Sequence, residues 1–480
     1  MRIDKIKKMK KLTNIFPILT AMLFLSLLTS CGEDRSGEYE ALIGQDKWIY
    51  ETMSQYYLWY ADMPTKEEKD YFTDAETFFK SLLSTKCRSG KGDSFSYIEE
   101  MAKAATRSLH FGKSSTYGFD FILYEDPTGV STHKYARIIY VASGSPAEQA
   151  KLARGQWIEA IDGTTLTTDN YTGLINGTGT SLSIVSLVNN NGTYSWKKEG
   201  DYKVGASRAM EDNPFYVDSV YTVGGKKIAY LMYNSFSTGP TDAASETAYG
   251  DQMKKIFLKF KSAQPDAFIL DLRYNPGGYV TMAQKLASLM VPQASLGKTF
   301  CSLEYNDKNQ SLNTTYLLDA TYASDANLNL GKVYILTGQY TASASELVIN
   351  GLIPYLGKDN VVLVGATTVG KNVASKAFSW DTNNKYTIYP IVATCYNSAH
   401  STDYESGFAP TYTVDEIKNF DVLQPLGSTN ELLLSYTIGL ITNPGTTTAS
   451  SNISPYINRH NIVTGFCSLQ MKQQNGVLIK

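Results

Sequence analysis

The sequence predicts a multidomain α/β protein, with a small helical N-terminal domain, a β-rich middle and a larger α/β core, on three observations. A chain of 480 residues exceeds what one hydrophobic core organises, and length alone predicts about three domains. The periodicity changes twice: apolar residues recur at helical spacing up to residue 83, short glycine-punctuated strands fill 111 to 200, and strands alternate with helices from Lys226 onward. Hydrophobic residues at 43% against charged residues at 19% give enough apolar surface for a sizeable interior, which excludes a disordered chain.

The chain opens with a leader. Arg2, Lys5, Lys7, Lys8, Lys10 and Lys11 precede an apolar run from Leu12 to Leu28, the order of charge and grease in a secretory signal. Asn14, Pro17 and Ser26 interrupt the run, which is short for a stable membrane span. It ends in Leu28-Thr29-Ser30-Cys31, which resembles the lipobox of bacterial lipoproteins. The resemblance implies that residues 1–30 are a removed signal peptide and that Cys31 carries lipid. Residues 31–44, with Gly32 and the acidic stretch Glu33 to Glu38, read as a tether. Gly32 directly after the cysteine resembles outer-membrane sorting, so the chain is expected to be exported and lipid-anchored in a bacterial cell envelope, at the outer membrane. An ordinary signal peptide with a cysteine nearby is the plainer alternative. Residues 1–30 hold six Lys/Arg and one Asp, so the remainder carries 38 Lys/Arg against 45 Asp/Glu, net −7. That sign excludes nucleic-acid binding through a general positive field.

Residues 45–110 read as the helical N-terminal domain. Trp48, Ile49, Tyr50, Met53, Tyr56, Tyr57, Leu58 and Trp59 repeat near helical spacing until Asp62-Met63-Pro64, and Phe78, Phe79, Leu82 and Leu83 form a second helical face. Such aromatic stripes are core, and no ligand is assigned to them. Cys87, Cys301, Cys395 and Cys467 lack any metal-ligand spacing, and the four histidines are scattered, so no metal and no cofactor is expected. Dispersed thiols in a large chain are buried and inert more often than bridged, and no disulfide is predicted.

Residues 111–205 are mostly β, with strands at Ile138–Val141 and Trp157–Ile161 and a hairpin over Ser183–Trp196 that turns at Asn191-Gly192. Ser145-Pro146-Ala147-Glu148-Gln149-Ala150-Lys151-Leu152, followed by Gly155-Gln156-Trp157-Ile158 and Ile161-Asp162-Gly163, resembles the helix, strand and turn of a PDZ domain. Tyr117, Gly118, Phe119 and Phe121 stand where that family has the loop whose amides take a peptide's terminal carboxylate, beside a strand edge that pairs with the peptide. Asp120 departs from the family's usual glycine. A spacer or lid is the alternative role for this domain.

The core spans residues 206–442. Its strands are expected at Lys227–Met232, Ala267–Leu272, Val333–Leu336 and Val361–Val364, its helices at Met253–Phe260 and Val280–Met290, and a hairpin at Ala377–Cys395. Three of these strands end in segments suited to chemistry. Asp271-Leu272-Arg273-Tyr274-Asn275-Pro276-Gly277-Gly278 brings bare backbone amides to a turn before a helix. Thr341-Ala342-Ser343-Ala344-Ser345-Glu346 places hydroxyls at a helix start, where a serine is commonly a cap. Gly365-Ala366-Thr367-Thr368-Val369-Gly370-Lys371 sets a lysine at a tight turn. A serine needs a base to lose its proton, and burial can hold a lysine amine neutral by disfavouring the ammonium. A Ser-Lys pair is therefore coherent chemistry. Residues 443–480, rich in Ser, Thr and Asn and then aperiodic, read as a tail packed on the core or partly mobile, without chemistry.

The order of helical segment, PDZ domain and core, with these motifs, resembles the C-terminal processing peptidases, or tail-specific proteases, of the serine-lysine type, over residues 45 to 440. The resemblance implies an endopeptidase acting on unfolded or C-terminal polypeptide segments through an acyl-enzyme, with Ser343 as nucleophile and Lys371 as general base. It also implies an oxyanion hole from the N–H of Ala344 and an N–H of the Gly277-Gly278 turn. Gly407-Phe408-Ala409-Pro410 resembles the family's late turn. Ser345 is a supporting residue or cap, and Ser375 stands where bacterial members often carry a glutamine that orients the lysine. Two other readings compete. One is a noncatalytic peptide-binding lipoprotein that keeps the fold; the other is a Ser-His-Asp hydrolase using His400 in Ala399-His400-Ser401-Thr402-Asp403.

Overall fold

The structure, a computed structural model, describes residues 36–65, 71–100, 115–129, 131–191, 193–211, 213–241, 245–380, 386–417, 423–443, 462–467 and 477–478. The expected signal peptide, Cys31 and most of the expected tail lie outside these residues. The chain divides into two compact units, one of Met1–Glu51 with Pro64–Ser81 and one of Thr52–Met63 with Leu82–Lys480.

Helix α1 (Ser36–Tyr56) buries Ile43, Asp46 and Ile49 at successive turns of its part in the smaller unit, and α2 (Ala75–Ser81) buries Ala75, Phe78 and Phe79 there. Tyr71 packs on Phe78 with ring centroids 5.2 Å apart and meets Tyr50 edge-on at 6.4 Å. The smaller unit ends at Ser81, and residues 101–110 of the expected N-terminal domain lie outside the described residues. From Leu82 the chain joins the larger unit, where Tyr57 Oη donates to Asp93 Oδ2 at 2.8 Å and accepts from Ser84 N–H at 3.0 Å. Strand Tyr97–Glu100 pairs there with Tyr386–Tyr389.

The β-rich domain consists of antiparallel strands β1 (Phe119–Glu125), β2 (Lys134–Val141), β3 (Trp157–Ile161), β4 (Thr180–Asn190) and β5 (Thr193–Val204). Asn190 faces Thr193 across the expected hairpin turn, where Asn191 takes a φ of 52°. Helix α3 is a single turn, Pro146–Gln149, capped by Ser145 Oγ accepting from Glu148 N–H at 3.0 Å. The expected helix through Leu152 stops early, and Lys151 enters the left-handed region at φ 62°. Both faces of β1 are covered. Phe119, Phe121 and Leu123 enter the domain's own core, whereas Ile122 and Tyr124 enter a cluster shared with the α/β core.

That core runs through β6 (Phe215–Val223), β7 (Lys226–Tyr233), α4 (Ala248–Ala263), β8 (Ala267–Asp271), α5 (Val280–Met290), β9 (Thr299–Tyr305), β10 (Thr314–Leu317), β11 (Val333–Thr337), α6 (Ala344–Leu356), β12 (Val361–Gly365), β13 (Val373–Ser375), β14 (Ile391–Asn397), β15 (Tyr412–Thr413) and α7 (Leu432–Thr442). The main sheet has the order β6-β7-β8-β11-β12-β15, parallel except for β6. One face packs Leu231, Leu270, Ile335 and Leu363 against Phe257, Phe260, Leu286 and Leu347 of helices α4 to α6. The other packs Tyr230, Ile269, Leu336 and Val364 against Leu433, Leu434 and Ile438 of α7 and against Tyr124 and Trp157 of the β-rich domain. Coverage of both faces is what a parallel sheet with apolar strands requires. Because β8, β11 and β12 are parallel neighbours, their carboxyl ends at Asp271, Thr337 and Gly365 fall on one edge.

A second sheet has the order β10-β9-β14-β13 and ends in a short strand from the terminal segment. The hairpin expected over 377–395 is half right. Phe378–Ser379 pairs with Tyr386–Tyr389, but after Pro390, which has no N–H to extend the ladder, β14 leaves to pair with β9 and β13. The described part of the tail contributes two strands: β16 (Ile462–Cys467) pairs with β1, and β17 (Val477–Leu478) pairs with β13.

Candidate active site

The loop leaving β8 is organised by Asn275, whose Nδ2 donates to Tyr233 O at 2.8 Å and whose Oδ1 accepts from Gly277 N–H at 2.9 Å. Gly277 has a φ of 112°, and a Cβ there would stand 2.8 Å from Ser343 Cβ and 3.0 Å from Ala344 N. Only a residue without a side chain lets this loop close on the start of α6. The two glycines are not equivalent as anion donors. Gly277 N–H is used by Asn275, whereas Gly278 N–H has no acceptor among the described residues. Ala344, first residue of α6, has no carbonyl one turn earlier in its helix to donate to. The pair left as candidate oxyanion donors is Ala344 and Gly278.

Thr341 fastens the second loop to the first, with its Oγ1 donating to Leu272 O at 2.8 Å and accepting from Gly338 N–H at 2.8 Å. Ser345 Oγ does the same by donating to Asn275 O at 3.0 Å. Ser343 sits between them at the head of α6 with φ 64° and ψ −113°. A serine there is strained by about 1–3 kcal/mol and persists only where its surroundings hold it. Glu346 supplies that hold: its Oε2 accepts from Ser343 N–H at 2.8 Å, while Ser343 Oγ, fully buried, makes no hydrogen bond. The residue has the position of a cap without spending its hydroxyl on capping.

Glu346 also builds the third loop. The same Oε2 accepts from Lys371 N–H at 2.8 Å, and Oε1 accepts from Gly370 N–H and from Thr368 Oγ1, each at 2.6 Å. One carboxylate oxygen therefore clamps the backbone of Ser343 and of Lys371 together. Burial pushes the Glu346 carboxyl above its ordinary range, against four hydrogen bonds that favour the charged form. Gly370 allows the turn, because a Cβ at its φ of 88° would lie 2.3 Å from Glu405 O.

Lys371 Nζ is buried without a hydrogen-bond partner. Its nearest cover is a segment from the N-terminal side of the larger unit. The amine lies 5.0 Å from the centroid of the Phe95 ring, and Arg88 stacks on the same ring at 4.1 Å. Arg88 is fixed by donating to Gly370 O at 3.2 Å and Glu405 O at 3.3 Å. Burial lowers the Lys371 amine from an ordinary 10.5 to about 8; Asp93, Cys395 and Glu346 oppose the shift without reversing it. The site thus presents a hydroxyl and an amine that is neutral in a large fraction of molecules at mildly alkaline pH, both buried and both unpaired, neither bonded to the other.

Beneath the first loop lies a charged cluster of the opposite character. Arg273 donates through Nε to Asp271, through Nη1 to Glu416 and Glu431 at 2.7 Å each, and through Nη2 to Asp271 Oδ2 at 2.8 Å and Glu431 Oε2 at 2.9 Å. Tyr274 Oη donates to Glu416 and Tyr230 Oη to Asp271. Arg154, from the β-rich domain, adds a second guanidinium, its Nη2 2.6 Å from Glu416 Oε2. Burial works to raise Glu416, yet Arg273 and Arg154 hold it down at about 2; burial raises Asp271 despite Arg273.

The remaining sequence-based candidates separate clearly. Ser375 lies in β13, opposite Ile391, fully buried. His400 is exposed, stacked on Tyr396 at 4.2 Å with Nδ1 3.5 Å from Glu304, which removes it as a base for a buried serine. In the β-rich domain, the side chains of Tyr117, Phe119 and Phe121 enter the core, which leaves the expected carboxylate contact to backbone amides. Two amides of the expected carboxylate loop are already used, Tyr117 N–H by Ile175 O at 3.0 Å and Gly118 N–H by Thr116 Oγ1 at 3.0 Å. Cys87, Cys301 and Cys395 are free and buried. Among the described residues no group of His, Cys, Asp and Glu is placed to hold a metal ion. Sequence reading assigned no role to Glu346, although Ser343-x-x-Glu346 is the capping-box spacing that could have found it. It also missed Arg88, Asp93 and Phe95, for which no local signal exists.

The profile of peptidase family S41 matches residues 227–414, and that of the peptidase S41 N-terminal domain matches residues 44–97. A crystal structure from Bacteroides fragilis assigned to the S41 proteases is 34% identical, covers 82% of this chain and 97% of its own, and superposes with a TM-score of 0.73. The carboxyl-terminal-processing protease of a Picosynechococcus species is 30% identical over 50% of this chain and 52% of its own length. That of a Synechocystis species is 27% identical over 57% and 58%. The chain thus spans little more than half the length of these curated relatives.

Proposed function

The chain belongs to peptidase family S41, and from that premise we propose that it is a serine endopeptidase working through Ser343 and Lys371. The observation that carries the proposal is the clamp at Glu346, whose single oxygen holds the backbone of both residues while their side-chain ends stay buried and free of other partners. In the reaction, the neutral Lys371 amine takes the Ser343 proton as Oγ bonds to the substrate carbonyl carbon. The carbonyl oxygen becomes an oxyanion facing the N–H groups of Ala344 and Gly278, and losing one such donor typically costs about 10²-fold in rate. Collapse breaks the peptide C–N bond, and the Lys371 ammonium returns the proton to the departing amine. Water, deprotonated by the same lysine, then hydrolyses the acyl-enzyme. No metal or cofactor enters.

The substrate class we propose is unfolded polypeptide or C-terminal segments, recognised in extended form, with the PDZ-like domain of residues 111–205 contributing a strand edge. Export and lipid attachment through Cys31 complete the proposal and would place the enzyme in the cell envelope, at the outer membrane. The test is incubation of the chain with unstructured peptides beside Ser343→Ala and Lys371→Ala. We expect cleavage by the parent and loss by about 10³- to 10⁴-fold in each variant; undiminished cleavage in both would refute the pair. Because Ser343 Oγ and Lys371 Nζ are not hydrogen-bonded to each other, a noncatalytic peptide-binding lipoprotein is the competing reading. It predicts peptide binding with no cleavage by the parent.

A further inference from the structure

The two strands of the chain's terminal segment lie in telling places. β16 pairs antiparallel with β1, Ile462 opposite Tyr124 and Cys467 opposite Ile122, so it runs toward the turn at Tyr117–Phe119. In the sheet order β16-β1-β2-β3-β4-β5, removal of β16 leaves β1 as an open edge. An extended peptide added to that edge with its C-terminus toward the turn would run in the same direction. The other strand, β17, pairs in parallel with β13, Val477 opposite Ala374 and Leu478 opposite Ser375. β13 starts two residues after Lys371, and without β17 it too is a sheet edge.

Edges of this kind are rows of N–H and C=O groups that accept any extended chain. One segment of the protein covers both, beside the base and beside the β-rich domain's turn. Its end, Gly476-Val477-Leu478-Ile479-Lys480, has the apolar and β-branched composition that suits strand addition. We infer that residues 462–467 and 477–478 are a built-in occupant of two strand-addition sites for extended polypeptide, which a substrate must displace. The inference rests on the proposed peptidase reading for the identity of the ligand. A tethered occupant competes at an effective concentration on the order of millimolar, so peptides with weak affinity are turned away and only strongly pairing ends enter. A binding-competent state that is only fractionally populated weakens apparent affinity by that fraction.

The test uses the full chain carrying Ser343→Ala, so that binding is read without turnover. Ile462→Pro and Val477→Pro, together, put a residue without an N–H at paired positions of β16 and β17. A fluorescently labelled unstructured peptide, followed by anisotropy, should bind the double-proline chain about tenfold more tightly than the parent. A synthetic peptide of residues 462–480 added in trans should reverse that gain. Equal binding by both chains, or no binding by either, overturns the inference. If the prolines unfold the chain, hydrogen exchange on the Ser343→Ala parent decides: saturating peptide should raise exchange within 462–467 and 477–478 while β1 and β13 stay protected, and unchanged exchange overturns it. Tighter binding by the proline chain together with no cleavage by the parent with Ser343 intact would sink the peptidase reading alone. Cleavage that the prolines leave unchanged in KM would sink this inference alone.

Discussion

Two buried ionic regions lie on the same sheet edge, and they solve the cost of burial in opposite ways. In the cluster around Arg273, every carboxylate faces a guanidinium or a phenol, and Glu416 is held down at about 2. Around Lys371 the amine has no partner, and burial brings it down to about 8 instead. A cluster with its charges paired fixes geometry, whereas an amine left unpaired is one that can give and take a proton. The paired groups build the site, and the unpaired amine is the one able to act in it.

The largest expected effect is at the lysine. Lys371→Met should lower kcat/KM for peptide cleavage by about 10³- to 10⁴-fold, measured with an unstructured peptide. The same variant should melt at a higher temperature than the parent at pH 7. Below pH 8 the parent must bury a charged amine, a cost of about 3 kcal/mol that methionine does not carry. Arg273→Met should do the reverse, destabilising the chain by about 3–5 kcal/mol in denaturant unfolding, because it leaves Asp271 and Glu431 with little cationic neutralisation. A melt unchanged by Arg273→Met would end the claim that this cluster holds the fold.

Glu346→Gln is intermediate. Its amide nitrogen would face N–H groups that now donate to a carboxylate, so kcat should fall by about 10²-fold with KM little changed, and global stability should fall by less than in Arg273→Met. The pH dependence sharpens the contrast. The base must be neutral, so kcat/KM should rise about tenfold per pH unit up to about pH 8 and then level off. Its folded-state value lies below 10.5, so the unfolded chain binds more protons between pH 8 and 10.5, and Lys371 makes stability rise with pH across that window. Glu416 works on the acid side: the stability it confers is present above its ordinary value near 4.5 and is lost as pH falls toward 2. The smallest effect belongs to Tyr230→Phe, which removes one 2.7 Å hydrogen bond to Asp271 and should cost about 1–2 kcal/mol in unfolding.

What the sequence made legible was local. Buried strands ending in glycine turns before helices are readable from periodicity, which brings the segments of Ser343, Lys371 and Gly277-Gly278 forward as candidates, whereas the choice of Ser343 over Ser345 and its pairing with Lys371 is what the family resemblance implies. Helix α5 has the expected bounds, Val280–Met290. Contacts across long separations were not legible: Arg273 meets Glu416 and Glu431 from 143 and 158 residues away, and Phe95 meets Lys371 from the other side of the β-rich domain. The amides of Tyr117 and Gly118 are taken by Ile175 and Thr116, pairings that no spacing in the loop itself announces. The strands of the terminal segment escaped notice because short pairings with distant edges leave no period of their own.

Arg154 carries one more consequence. Its guanidinium comes from the β-rich domain, and its buried Nη2 reaches Glu416 and Glu431 of the core. Those two acids are therefore balanced in part by a cation encoded some 260 residues upstream in a module of a different character. A chimera that exchanged this module for one without a basic side chain at the same spot would inherit a core with unbalanced acid at its centre. Recombination along this chain has to carry the arginine with the module, or replace the acids as well.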